Sequence, residues 1–371
     1  MTTNPSIAII GGGPGGLMLA RLLQRGGRAV AVFERDAHAG ERPQGGSLDL
    51  HAETGQRAMR LAGLEAEFMA EARPEDQGDR LYDSAGRLVF DHDGAGHDRP
   101  EIDRTALRTI LLAALAPGTV RWGRRVEAIR PSGAGWELIV EGTAQRFDVV
   151  VGADGAWSRV RPLLSDAVPA YEGATLFELG FDVARHPRVD ALTGHGKMFA
   201  AGDNRLLIAQ RNGAGHIRGY AGLRVPEATV QAWQAMPLEE VRTKVLAEFA
   251  GWAPELQALI AEGDALAVRP MVALPIGHRW EPCQGATLLG DAAHVMSPFS
   301  GEGVNLALAD AADLAEALLS GEGWEAVARY EVAMADRAAV AAEGAAQGLR
   351  LSISPDALDA VLEHYRERVL A

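Results

Sequence analysis

The stretch Ser6-Ile-Ala-Ile-Ile-Gly-Gly-Gly-Pro-Gly-Gly-Leu17 decides the fold. Ser6–Ile10 is a short, continuously apolar run, the pattern of a parallel strand buried on both faces. The glycine cluster follows at once. Leu17–Arg25, with Leu17, Leu19, Leu22 and Leu23 apolar, then reads as a helix ended by Gly26-Gly27. Ala29–Phe33 is a second apolar run and closes on Glu34. Within this βαβ unit Gly11, Gly13 and Gly16 form G-x-G-x-x-G, after a strand and opening a helix. The first glycine permits a tight turn, the second lets backbone approach a pyrophosphate, and the third allows close helix–strand packing. The helix start adds free N–H groups and the positive end of its dipole. Glu34 lies 18 residues past Gly16, near the spacing at which an acid meets ribose hydroxyls, and its charge opposes a 2′-phosphate there. Gly11, Gly13, Pro14, Gly16, Glu34 and the adjoining Arg35 are therefore candidate contacts to a dinucleotide. This fingerprint alone does not separate NAD from FAD.

Working outward, the 371 residues are 47% hydrophobic and 23% charged, the composition of an ordinary globular protein of two domains or one large one. A formal net charge of −14 argues against nucleic acid and against anionic membrane surfaces, since both need a basic face. The single cysteine, Cys283, excludes an intramolecular disulfide and a Cys-based zinc site. There is no secretory leader pattern and no apolar run of membrane-spanning length, so a cytoplasmic location is expected.

Residues 51–70 read as helical, and Arg80–Tyr82 and Leu88–Phe90 as a strand pair. Arg104–Leu115 is a helix candidate, followed by strand signals at Thr119–Trp122, Trp136–Val140 and Phe147–Val151. Between about residues 168 and 225 the pattern becomes that of antiparallel hairpins, with runs at Thr175–Val183, Arg205–Gln210 and His216–Arg224. Residues 226–262 look helical, Leu266–Leu274 and Ala286–Leu289 strand-like, and Val304–Leu319 is a long amphipathic helix. The tail carries Leu358, Val361, Leu362, Tyr365 and Val369 at helical spacing and should pack on the protein's own domains.

Two later segments specify the dinucleotide. Asp148–Arg161 reads DVVVGADGAWSRVR and Gly290–Asn305 reads GDAAHVMSPFSGEGVN, each directly after an apolar strand. Each puts a carboxylate, Asp154 or Asp291, at the C-terminal end of a core strand, where open α/β sheets bind ligands. Here the chain resembles the class A flavoprotein monooxygenases: the first segment matches their DGxxSxxR motif and the second their GD motif. Within that class it is most similar to the tetracycline-inactivating monooxygenases. Arg42-Pro-Gln-Gly-Gly-Ser-Leu-Asp-Leu-His51 looks like their R-x-x-G-G-T-L-D-L-H, and Pro100-Glu-Ile-Asp-Arg-Thr-Ala-Leu-Arg108 like their P-E-I-x-R-x-x-L-R. The likeness thins across residues 166–270.

The resemblance implies an α/β fold: a Rossmann-like FAD-binding domain of the para-hydroxybenzoate hydroxylase type, an inserted antiparallel-sheet substrate domain and a C-terminal helix. The expected division is 1–75, 101–165 and 275–345 for FAD, 76–100 and 166–274 for substrate, and 346–371 for the last helix. It implies FAD as cofactor, NADPH or NADH as transient reductant, and O2 and a small aromatic molecule as partners, in a monomer. Arg42, Asp49, Arg108, Asp154, Asp291, Pro298, Gly301, Gly303, Val304 and Asn305 join the expected FAD contacts, with Arg108 near the phosphates and Asp291 on a ribityl hydroxyl. A helix opening at Gly303–Asn305 would stabilise the negative charge of reduced flavin. Phe177, Phe181, Phe199, Pro298, Phe299 and Gly301 are candidate pocket residues.

The implied reaction is hydroxylation of a multi-ring phenolic or polyketide-like molecule, tetracyclines included, through a flavin C4a-hydroperoxide. It needs no catalytic residue beyond the flavin. No metal is expected: His51, His186, His195 and His216 lack ligand spacing, and Asp91-His92-Asp93 and His97-Asp98 sit in a glycine-rich turn. There is no G-x-S-x-G elbow for a serine hydrolase. A halogenase would carry W-x-W-x-I-P, which does not occur. A reductase of the same fold and a non-catalytic FAD- or ligand-binding protein stay open.

Overall fold

The computed structural model describes residues 5–41, 45–95 and 98–370, with side chains to residue 367. Arg42 and His97 lie outside the described residues. Strand β1 (Ile7–Ile10), helix α1 (Pro14–Arg25) and strand β2 (Val30–Phe33) form the N-terminal unit. All four residues of β1 are buried, as are all four of the neighbouring strand Val149–Gly152, because helices or a second sheet cover both faces. The parallel sheet runs Ala286–Leu288, Val149–Gly152, β1, β2, Val120–Arg121. A three-stranded antiparallel sheet, Val126–Ser132, Gly135–Val140 and Thr143–Phe147, covers part of it. Two of these strands, Val126–Ser132 and Thr143–Phe147, carry too many polar residues to stand out in the sequence.

The second layer is a seven-stranded sheet in the order Asp264–Ala273, Ala170–Asp182, His216–Arg224, Arg205–Arg211, Gly196–Gly202, Gly78–Tyr82, Leu88–His92. Its pairings are antiparallel except one: Gly196–Gly202 runs parallel to Gly78–Tyr82. Gly196 makes that junction possible, because a Cβ there would lie 2.2 Å from the Gly78 carbonyl oxygen, and its φ is +147°. The strand Gly196–Gly202 and the short helix Pro187–Thr193 break the run of hairpins read from the sequence. Helices Glu227–Gln234, Leu238–Glu248 and Pro254–Glu262 cover the back of the sheet, where Trp233, Phe249 and Trp252 are buried.

Three expectations are refined or corrected. Residues 51–70 are helical as read, but in pieces: a π-helical turn, Ala52–Gln56, leads into Arg57–Ala62, and Gly63 at φ +68° ends it before Glu65–Glu71. The last helix does not begin at residue 346. A 29-residue helix, Trp324–Ser352, crosses that boundary, and a separate helix, Ala357–Leu370, follows. At about 1.5 Å per residue the longer helix spans roughly 43 Å. Its first half packs Val327, Tyr330 and Met334 into the core of the parallel sheet, and Leu349 near its end packs with Leu176, Leu206 and Met271 of the second sheet. The last helix buries Val361 and Tyr365 against Leu81, Val89, Phe90 and Phe199. No helix among the described residues is long and apolar enough to cross a membrane.

The third correction concerns Phe177 and Phe181. Strand alternation turns both to the helix-covered back of the sheet, where they are 1% and 2% exposed. The ring of Phe181 meets His186 edge-on, with centroids 5.5 Å apart. Phe177 is core, whereas Phe181, though equally buried, borders a cleft it shares with Arg185, Asn212 and Arg218. Phe199 projects from the front of the sheet with Ile208 and Tyr220. Phe177→Ala should therefore cost about 3–5 kcal/mol of stability. Urea unfolding checks this, and the KM of the residual folded enzyme should stay near that of the parent.

Candidate active site

The glycine loop divides its labour as the physics demands. Gly11 sits at φ +110°, and a Cβ on it would lie 2.2 Å from the Ala153 carbonyl oxygen. A Cβ on Gly16 would lie 2.2 Å from the Gly11 carbonyl oxygen. Both are excluded by backbone, so these positions hold the turn and the helix together. A Cβ on Gly13 meets nothing within 4 Å, so this residue borders the open face on which α1 begins. Pro14 starts the helix, where its missing N–H costs nothing.

Glu34, 6% exposed, accepts hydrogen bonds from the Gly12 N–H at 2.8 Å and the Asp36 N–H at 3.0 Å. Arg108 lies beside it, 4.0 Å from Glu34 and 3.7 Å from Asp36, and donates to the Gly12 and Ala39 carbonyls. Its guanidinium covers the Trp122 ring at 5.3 Å. Arg35 is exposed beside this cluster.

The two later motifs come together through one side chain. Arg161 donates to the carbonyls of Ala156 at 2.7 Å, Ala167 at 3.0 Å and Ala292 at 3.0 Å, so it staples the Asp154-Gly155 turn to the Gly290-Asp291 turn. Ser158 accepts the N–H groups of Val160 and Arg161, which caps the short turn carrying that arginine. Asp154 accepts the Arg159 N–H through Oδ2, while its buried Oδ1 has no partner. Desolvation raises its pKa, partly offset by Ser158. Asp291 is open to solvent yet crowded by protein, as on the wall of a cleft. This desolvation raises its pKa against the opposing charges of His294 and Arg104. Asp291 is the first residue of the short helix Asp291–His294, so its exposed carboxylate stands at that helix's N-terminal end.

Beneath Asp291 lies a network that no sequence motif announced. Asp310, fully buried, accepts the Gly290 N–H at 3.0 Å and pairs with His294 at 2.6 Å and Arg337 at 2.9 Å. Arg337 also reaches Asp313, which Arg57 contacts from the other side. Burial works against both charges, but the partners prevail: Asp310 is held below the usual carboxylate range and His294 above the usual imidazole range. The network ties helix Gly303–Leu319 and helix Trp324–Ser352 to the turn that presents Asp291. His294 and Asp310 lie on different helices, Asp291–His294 and Gly303–Leu319, so no sequence period connects them.

The Met296–Gly303 loop closes the site. Pro298–Ser300 is a single 3-10 turn and Gly301 follows at φ +70°. Ser297 donates to the Ala345 carbonyl, and Gly348 leaves room for the Phe299 backbone, so the long helix backs the loop. A Cβ on Gly303 would meet nothing within 4 Å, and Leu306 N–H bonds to Glu302, so the N–H groups of Gly303 and Val304 precede the first intrahelical bond. Asn305, 0% exposed, accepts the His51 N–H and donates to the Asp49 carbonyl, both at 2.9 Å. Asn305 thus fastens the Asp49–His51 segment to the start of the helix that follows the Pro298–Gly301 turn.

Two helix starts, a buried Asp154 oxygen without a partner and an exposed Asp291 carboxylate fit an elongated, phosphate-bearing, hydroxylated cofactor such as FAD. Gly13→Ala and Gly16→Ala should separate the two uses of glycine. Gly16→Ala should fail to assemble the domain. Gly13→Ala should unfold at the parent temperature while binding FAD at least about tenfold more weakly, a loss of roughly 1.4 kcal/mol. Calorimetry of the apoprotein and flavin fluorescence titration measure the two effects.

Comparison with known proteins agrees with this geometry. Residues 4–347 match the model of the family described as FAD binding domain. The chain is 32% identical to Monooxygenase penA of Penicillium thymicola, over 85% of this chain and 85% of that protein. Among solved structures, HpxO of Klebsiella pneumoniae complexed with FAD and uric acid superposes with a TM-score of 0.81 at 21% identity, covering 99% of this chain and 93% of that one. The tetracycline destructase Tet(51) superposes with a TM-score of 0.76 at 20% identity, covering 99% and 95%; at such identities both show the shared fold. The chain therefore belongs to the FAD binding domain family and is an FAD-dependent monooxygenase.

Proposed function

We propose that this monooxygenase uses NAD(P)H and O2 to hydroxylate a multi-ring phenolic or polyketide-like small molecule, working as a cytoplasmic monomer. The observation that carries the substrate class is the apolar surface of Phe199, Ile208, Tyr220 and Phe299, half-buried between the front of the seven-stranded sheet and the Pro298–Gly301 loop. A flat, largely apolar ring system buries best against such a surface. Polar groups border it. Glu178 pairs with Arg218 at 3.4 Å and Arg269 at 2.7 Å, and Gln210 donates to Glu101 at 3.0 Å. Burial, reinforced by the Glu178 charge, pushes the Tyr220 phenol up, so it remains a neutral donor at physiological pH. These groups suit hydroxyl and carbonyl substituents on a ring scaffold, and tetracyclines are one class with that pattern.

When bound, FAD supplies both hydride acceptance and the activation of O2. The protein's share is placement. The N–H groups at the helix start Gly303–Val304 would stabilise the negative charge of a reduced flavin. Asp291 and Asp154 hold hydroxyls, the Arg161 staple keeps their two turns in register, and the apolar surface keeps bulk water from the reacting ring. Glu34 beside the adenosine end disfavours a 2′-phosphate at that position, so a phosphorylated reductant would dock elsewhere and transiently.

The test is turnover of a panel of tetracyclines, anthracyclines and simpler phenols. NAD(P)H oxidation should rise with the true substrate, and mass spectrometry should find a product heavier by one oxygen atom. Flavin reduction that leaves every panel member unmodified would overturn the substrate reading. Phe199→Ala should raise KM about tenfold or more through lost apolar contact, with a smaller change in kcat.

A further inference from the structure

Asp49, His51 and Glu302 form a charged cluster to which neither the family motifs nor the expected flavin contacts assign a role for His51. The His51 ring is 14% exposed and lies between two carboxylates: Nε2 is 3.3 Å from Asp49 Oδ2 and Nδ1 is 3.4 Å from Glu302 Oε1. An ionised carboxylate only accepts, so both contacts are satisfied together only when both ring nitrogens carry hydrogen. The backbone of the same residues is sewn to the helix by Asn305, through the His51 N–H and the Asp49 carbonyl. Gly55 closes the other side of Asn305, since a Cβ there would lie 2.5 Å from its Oδ1. Glu302 stands between Gly301 and Gly303, as the N-cap of the helix Gly303–Leu319.

We propose that His51 is a positioning residue for the flavin: as a cation it ties Asp49 to Glu302, locks the Gly301–Gly303 loop against the Ser47–His51 segment, and offsets carboxylate charge beside the reduced cofactor. With His51 charged the three groups sum to one negative charge; without it they sum to two. That second charge would oppose an electron-rich flavin. Three further groups face the cluster: Lys197, from the sheet, lowers the Asp49 pKa, Glu101 lies opposite Asp49 on the paired strand and interacts with its charge, and Asn305 contributes no charge. Burial disfavours the imidazolium, but the two carboxylates outweigh it and raise His51 to about 9. Because the pKa is raised, the cation's contribution is complete below about 6.5 and is lost as pH rises through about 9.

The experiment measures FAD affinity and the flavin midpoint potential on the full chain without substrate, so its outcome is independent of the substrate reading. At neutral pH His51→Gln should bind oxidised FAD about fivefold more weakly. It should also favour reduced flavin about tenfold less, a fall of about 30 mV for a two-electron couple. Glu302→Gln should weaken binding too but shift the potential upward, because it removes negative charge. Shifts of the same sign in both variants, or parental values in both, would overturn the proposal. Should His51→Gln fail to fold, the parent's own pH series decides: FAD affinity that falls through about pH 9 supports the role, and a flat profile refutes it.

Discussion

Two helix starts can serve one cofactor only if their helices lie unusually close, and that closeness rests on Gly15. Any Cβ there would lie 2.7 Å from Leu289 Cδ1 and 3.1 Å from the Ala307 carbonyl oxygen. α1 and the helix Gly303–Leu319 therefore pack almost backbone to backbone. Both follow strands of the same parallel sheet, so both N-termini emerge at the sheet's C-terminal edge. The dipole ends and free N–H groups of each then add in one cleft. The glycine-rich loop is usually read for its contact with phosphate. Here Gly11, Gly15 and Gly16 all face protein, and the approach that Gly15 allows is what brings the two helix starts close together.

Closeness of this kind leaves polar groups without water, and the structure answers with buried partners. Asp310 takes the Gly290 N–H and two cationic partners. Removing one member of such a set strands a buried charge, which costs more than the pairing itself returns. The network is thus better understood as a fixture for the Gly290-Asp291 turn than as a source of stability. Arg161 does the same for the second turn through neutral carbonyls. Asp154 keeps one oxygen unsatisfied where both fixtures point, and an unpaired buried acceptor is tolerated at such a place because a ligand completes it.

The half of the molecule that was legible in the sequence is the half in which backbone geometry dictates residue type. Gly11 and Gly16 are glycines because a carbonyl oxygen stands 2.2 Å from where a Cβ would be, and that requirement prints itself on the chain as a spacing. Asp154 and Asp291 were visible for the same reason, being anchored to strand ends. His294, Asp310 and Arg337 were not, since they meet only after two helices fold together and no local period links them. Phe177, Phe181 and Phe199 show the limit most clearly. All three are strand aromatics, and the face each occupies depends on register with strands far off in sequence. The 29-residue helix was hidden by its alanines, which pack on both halves without a strong apolar stripe.

That alanine-rich helix also explains how two separately built halves hold a common site. Its first half lies in the core of the parallel sheet and its end in that of the second sheet, while Ala345 and Gly348 back the loop that carries Phe299. Arg224 of the seven-stranded sheet donates to the Ile353 carbonyl at the end of the same helix. A tilt of one sheet relative to the other must therefore bend this helix or pull Phe299 off the apolar surface. Small side chains along it favour a stiff, close-packed strut over a hinge, because there is little side-chain volume to rearrange. The spacing between the edge of the parallel sheet and the front of the seven-stranded sheet is then held by this one helix, and side chains on that front can change without moving the glycine-rich half.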